Sequence, residues 1–128
     1  MPYHVHIVEY FLSPGHHHYA LFVEMNDGGS GCIFHVKGDI SEGMEYEIKS
    51  ETRPHLQENF SKIVIIGTVS FDMFPLFMEV CEGTPPPRKQ LDDQGNKIDA
   101  DEPLYRCVEW LDDVIKVSKD LGIINMIA

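Results

Sequence analysis

The chain reads as an α+β fold, an antiparallel sheet of about five strands packed with a C-terminal helix that carries a cysteine. Three observations predict it. Segments that alternate in polarity with period two fill the first 50 residues and are separated by turns rich in Gly, Pro, Asn and Asp. A nearly continuous β-branched run, KIVIIGTV over 62–69, follows them. The last segment, 104–121, instead repeats its apolar residues at helical spacing. With 128 residues the chain has room for one core and not for two ordinary ones, so 1–128 is expected to be a single domain.

Residues 3–12 are rich in aromatic and β-branched side chains and stop at Ser13-Pro14-Gly15, which predicts a first strand ended by a turn. A second strand over 17–25 runs into Asn26-Asp27-Gly28-Gly29-Ser30-Gly31, where Gly and Asn/Asp supply hairpin conformations. The third strand, 32–37, returns from that loop, and 44–49 (MEYEIK) alternates like a half-exposed fourth. The run 62–69 has the composition of a central or doubly covered strand. Residues 71–82 predict a short helix with Pro75 in its first turn, and 83–101, with its Pro run, reads as a long loop. The final helix places Leu104, Cys107, Val108, Leu111, Val114, Ile115, Ser118 and Leu121 on one face. Asp101 is its expected N-cap, Pro103 suits its first turn, and Gly122 ends it.

The net charge of −11 opposes binding to a phosphate backbone or an anionic bilayer, so nucleic acid is not an expected partner. No basic and apolar leader opens the chain, and nowhere do 18 apolar residues run together. A soluble, cytoplasmic protein without a membrane span is therefore expected. Cys32, Cys81 and Cys107 are odd in number and irregular in spacing, which fits free thiols better than a disulfide framework. No phosphate-binding or dinucleotide motif occurs, so no cofactor is implied.

Chemistry then rests on Cys107 and the histidines. A thiol early on a helix meets the positive end of the helix dipole, which favours the thiolate, while a buried cysteine also packs as a small hydrophobe. A hairpin centred on Asp27-Gly28 pairs residues whose numbers sum to 55, which makes His18 and His35 diagonal neighbours on one face and turns Cys32 away from them. Such a pair suits a base with an orienting histidine, two metal ligands, or a wet sheet surface. Seven histidines, with His4 and His6 on one face and His16, His17 and His18 together, keep a metal site in view, although no zinc-motif spacing is present.

The order of His18-Tyr19-Ala20-Leu21, then His35-Val36, then Cys107-Val108-Glu109-Trp110 resembles the circularly permuted branch of the papain-like NlpC/P60 superfamily. The lecithin:retinol acyltransferase-like and PPPDE-like members share the order His, His, Cys. The pattern is also similar to that of a group of small fungal proteins with an HWAL strand and a Cys-Gln-Glu-Trp helix. Tyr19 stands in place of the usual Trp, and Arg106 in place of the Asn before the cysteine. The resemblance implies a permuted papain-like fold in which Cys107 is the nucleophile, His18 the base and His35 the orienting histidine.

Two functions of different class follow. One is a cysteine-dependent hydrolase or acyl/amide transferase acting on a peptide, acyl or small-molecule substrate. The other is a catalytically inactive binding or interaction module of the same fold. Cys107 packed in apolar contacts far from both histidines favours the second, and the histidine metal site is a third, separate alternative.

Overall fold

The computed structural model describes residues 2–26, 28–51 and 53–127. In chain order its elements are β1 (Tyr3–Ser13), β2 (His16–Glu24), β3 (Gly31–Asp39), β4 (Gly43–Glu51), a 3-10 turn (Pro54–Leu56), β5 (Phe60–Val69), α1 (Phe74–Gly83), α2 (Cys107–Asp120) and β6 (Ile124–Met126). The strands form one antiparallel sheet in the order β4-β3-β2-β1-β5-β6. The α+β class with an antiparallel sheet is thus as expected, with six strands rather than about five. The extra strand, β6, follows Gly122 in a left-handed conformation at the end of α2 and is only three residues long.

The hairpin arithmetic holds. Leu21 faces Phe34, Phe22 faces Ile33, Val23 faces Cys32 and Glu24 faces Gly31, each pair summing to 55. Gly31 is required there because a Cβ would sit 1.8 Å from the Val23 carbonyl oxygen. Alternation then sorts the central strands onto two faces. On one, Val5, Leu21, Val23, Phe34 and Val36 pack with Phe77 and Cys81 of α1 and with Cys107, Trp110, Leu111 and Val114 of α2. On the other, Val8, Tyr10, Ala20, Phe22 and Ile33 form a second, smaller cluster with Phe60 against it.

Three sequence expectations need correction or refinement. First, α2 starts at Cys107 with Arg106 as its N-cap, so neither Asp101 nor Pro103 starts it. The Gln90 side chain explains the delay. Its amide donates to the Tyr105 carbonyl at 2.6 Å and accepts from the Tyr105 N–H at 2.7 Å, holding 104–105 extended where a helix would need those groups. Trp110, absent from the expected apolar face, is only 1% exposed and donates to the Thr84 carbonyl, whereas Leu121 is 64% exposed. Second, 83–101 is the long loop expected but it is tied to the sheet, the Pro87 carbonyl accepting from the Met44 N–H and the Gln90 N–H donating to the Ile40 carbonyl at the β3–β4 turn. Third, β5 is not doubly covered, because β6 reaches only its last residues and Ile63, Val64 and Ile65 are exposed.

Candidate active site

His18 and His35 meet as expected. His18 Nε2 lies 2.8 Å from His35 Nδ1, and His35 Nε2 lies 2.8 Å from Glu47 Oε1. Lys37 Nζ donates to the other Glu47 oxygen at 3.0 Å. These contacts fix the proton positions. The Glu47 carboxyl is pulled down to about 2, first by the hydrogen bond from His35 and then by that from Lys37, so it is an acceptor only. His35 must therefore carry its proton on Nε2. In the neutral ring Nδ1 then accepts, so His18 donates from Nε2 and keeps a bare Nδ1.

Burial favours this neutral state. It pushes His18 down to about 4, helped by the charge of Lys49 and by the repulsion that would arise if His18 and His35 were both protonated. His35 is also lowered, by burial first, while the Glu47 hydrogen bond and charge oppose the change. Tyr10 stacks on His18 with ring centres 6.2 Å apart, and a small cavity of about 110 Å³ adjoins them, bordered by Lys49 and Glu51.

Cys107 lies elsewhere. It is the first residue of α2, is 8% exposed and belongs to the helix-side core with Trp110 and Leu111. His18 is in phase with Ala20 and Phe22, and His35 with Ile33, on the opposite face. The sheet therefore separates the thiol from both histidine rings, and the expected Cys107-His18-His35 constellation is not assembled. The reason is local: the α2 helix packs on the face of Tyr19, Leu21 and Val23, one residue out of phase with His18.

Burial pushes the Cys107 thiol up. The backbone N–H of Tyr19 opposes this, the charge of Glu109 adds to it, and the N–H groups of Val108 and Cys107 pull weakly down. Cys81, also buried, is pushed further up, and Cys32 is raised as well, each by burial.

Cys107 nevertheless borders a cavity of about 760 Å³, which opens between the β1–β2 turn, the β3–β4 turn and the start of α2. Leu12, Pro14, Ile40, Met44, Leu91 and Val108 give it apolar walls, and His16, His17, Asp39, Ser41 and Arg106 supply polar groups. His18 borders it too, but its ring is the one bonded to His35 across the sheet. Arg106 makes no ion pair among the described residues.

His17, unlike His18, shares the helix-side face. Its Nδ1 is 3.4 Å from Glu9 Oε1, and that same oxygen accepts a 2.7 Å bond from the Tyr19 hydroxyl. Glu9 is held below the usual carboxylate range, chiefly by the Tyr19 bond. Neither Glu9 nor Glu47 figures among the residues expected from sequence. Both are legible by the rule that paired His18 with His35, since Glu9 faces Tyr19 and Glu47 faces His35 in their hairpins. Among the described residues, no three His, Cys, Asp or Glu side chains converge as a metal-binding group, and no helix is long and apolar enough to cross a membrane.

No curated protein and no solved structure matches the chain. A family model does match, over residues 5–125, and on that match the chain belongs to DUF6540, a family of unknown function.

Proposed function

We propose that this DUF6540 chain is a non-catalytic binding protein that holds a small organic ligand in the cavity at the start of α2. One observation carries the reading: Cys107 and the His18–His35 pair lie on opposite faces of one sheet. A general base must come within about 3 Å of the proton it takes, or reach it through one water, and a sheet between the groups denies both. A volume of about 760 Å³ with apolar walls and a few polar groups fits a small-molecule site, for which ~300–1,000 Å³ is usual. Arg106, which makes no ion pair among the described residues, offers a partner to an anionic end of the ligand, with the carboxylates of Asp39 and Glu109 on the same cavity.

A second reading keeps the cysteine-dependent hydrolase or acyltransferase with a different base. It is favoured by His17 on the same face and the same cavity, its Nδ1 3.4 Å from Glu9, and by the backbone N–H groups of Tyr19 and Val108, which pull the thiol pKa down against burial. In that scheme His17 takes the Cys107 proton, the thiolate adds to the carbonyl carbon, and the helix-start amides receive the oxyanion. The leaving group departs with the proton from His17, and water or an acceptor then resolves the acyl-enzyme.

Iodoacetamide alkylation against pH, resolved per cysteine by mass spectrometry, separates the readings in wild type, His17→Ala and His18→Ala. The binding reading expects Cys107 to label only in the ordinary thiol range or above, alike in all three. Labelling well below pH 8 that is lost in His17→Ala would replace it with the thiol reading. A thermal-shift screen of small organic acids supplies the positive arm. A ligand at about 100 times its Kd adds ~2.7 kcal/mol, and Val108→Trp, which puts a bulky ring into the cavity wall, reduces the shift.

A further inference from the structure

The two long edges of the sheet differ sharply. The β4 edge carries Glu45, Glu47, Lys49 and Glu51, the charged guard that discourages strand addition. On the other side, β6 pairs only with Gly67, Thr68 and Val69, and Ile127 adds one bond to the Ile66 carbonyl. Among the described residues nothing pairs with residues 61–65 on the side away from β1. That segment is exposed throughout and presents Ile63, Val64 and Ile65 at 36%, 43% and 41% exposure. It has no proline, residues 62–65 run without interruption between two bulged residues of β5, Ser61 and Ile66, and neither α1 nor α2 covers it, the 3-10 turn being the helical element that touches β5.

We infer that this free half of β5 is a self-association edge, and that its occupant is the β5 edge of a second copy of the chain, joined antiparallel about a two-fold axis. Charge selects that partner. The chain carries −11 overall, yet Lys62 is the only charged residue in Phe60–Val69, so two copies repel least along this line. Symmetry selects the register. A two-fold axis perpendicular to the sheet requires paired residue numbers to sum to an even value, because the axis keeps each side chain on its own face. Centring on Ile63 places it opposite its own copy, sets Lys62 against Val64, and keeps the two lysines from facing each other. It also stops short of residues 67–69, where β6 already occupies the edge. Two six-stranded sheets would then join into one continuous sheet, pairing the open backbone groups of the two edges and narrowing the exposure of Ile63, Val64 and Ile65 in each copy.

Sedimentation velocity of the full chain from about 1 to 200 µM tests this, together with amide hydrogen exchange at both ends of that range. The expected result is a concentration-dependent rise from 14.6 kDa to twice that mass, with exchange at residues 61–65 slowing in parallel. Ile63→Lys, a change at an exposed position, returns the chain to monomer. Ile48→Lys, on the guarded β4 edge, leaves the dimer intact. A monomer at every concentration overturns the inference. So does a dimer that survives Ile63→Lys, or one whose new exchange protection lies outside β5, either of which assigns the contact to another surface.

Discussion

Lowering the pH from 7 to 5 should destabilise this protein through the buried His18. Its native pKa of about 4 lies below the value of about 6.5 expected for an unfolded histidine. Between those values the unfolded chain binds a proton that the native chain does not, so stability is fully present above pH 6.5 and is lost as pH falls toward 4. Linkage gives ~2 kcal/mol lost between pH 7 and 5, and an upper limit of ~3.4 kcal/mol well below pH 4. His35 is lowered in the same direction and adds to the loss. Asp and Glu side chains of ordinary pKa change little over this window, which makes it diagnostic for histidine. For a chain of this length ~2 kcal/mol corresponds to about 7 °C in Tm. The assay is urea unfolding at pH 7, 6 and 5, on wild type and on His18→Gln, whose amide can still donate to His35 Nδ1. The variant should lose most of the pH slope while unfolding with the same m-value. An unchanged slope in His18→Gln, or a flat wild type, refutes the assignment of a neutral, buried His18.

Glu47→Gln removes the charge and the ionic hydrogen bond that hold His35 up against burial, so the His35 pKa should fall further; NMR titration of its ring protons reads this directly. Gly31→Ala places a Cβ 1.8 Å from backbone oxygen, which cannot move as a flexible side chain could. It should open the β2–β3 hairpin and lower the urea midpoint, whereas Gly83→Ala, with nothing within 4 Å, should not. Trp110→Ala should cost ~3–5 kcal/mol by opening the core between α2 and the sheet, and Trp110→Phe less, mainly by leaving the Thr84 carbonyl unpaired.

Local pattern carries most of the fold. The turn residues set the hairpins, the sum of 55 set the β2–β3 register, and Pro75 falls in the first turn of α1 as its position suggests. What pattern does not carry is the effect of a remote group on a local choice. Residues 104–105 have helical spacing, but Gln90, 15 residues earlier, takes both backbone groups of Tyr105 and shifts the start of α2 to Cys107. The β5 run has the composition of a covered strand because composition reports how well side chains suit a pleated surface, not whether a neighbour is present.

The side of the sheet on which α2 packs decides the functional reading, and β2 and β3 alone do not reveal it. Their centres are apolar on both faces, Leu21, Val23, Phe34 and Val36 on one and Ala20, Phe22 and Ile33 on the other. The deciding signal lies in β4, where Met44 and Tyr46 alternate with Glu45, Glu47 and Lys49. A helix can bury the first pair but not three charges, so α2 packs on the face of Met44 and Tyr46 and not on that of Glu47. The turn from Asp39 to Gly43 sets His35 opposite Glu47, and the 55 rule sets His18 on the same face as His35. Both histidines are thereby assigned to the face away from α2, while Cys107, on the apolar stripe of α2, is assigned to the helix-side face. Joining the two hairpins in this way separates the thiol from the histidine pair on physical grounds, although the order of the three residues along the chain suggests that they meet.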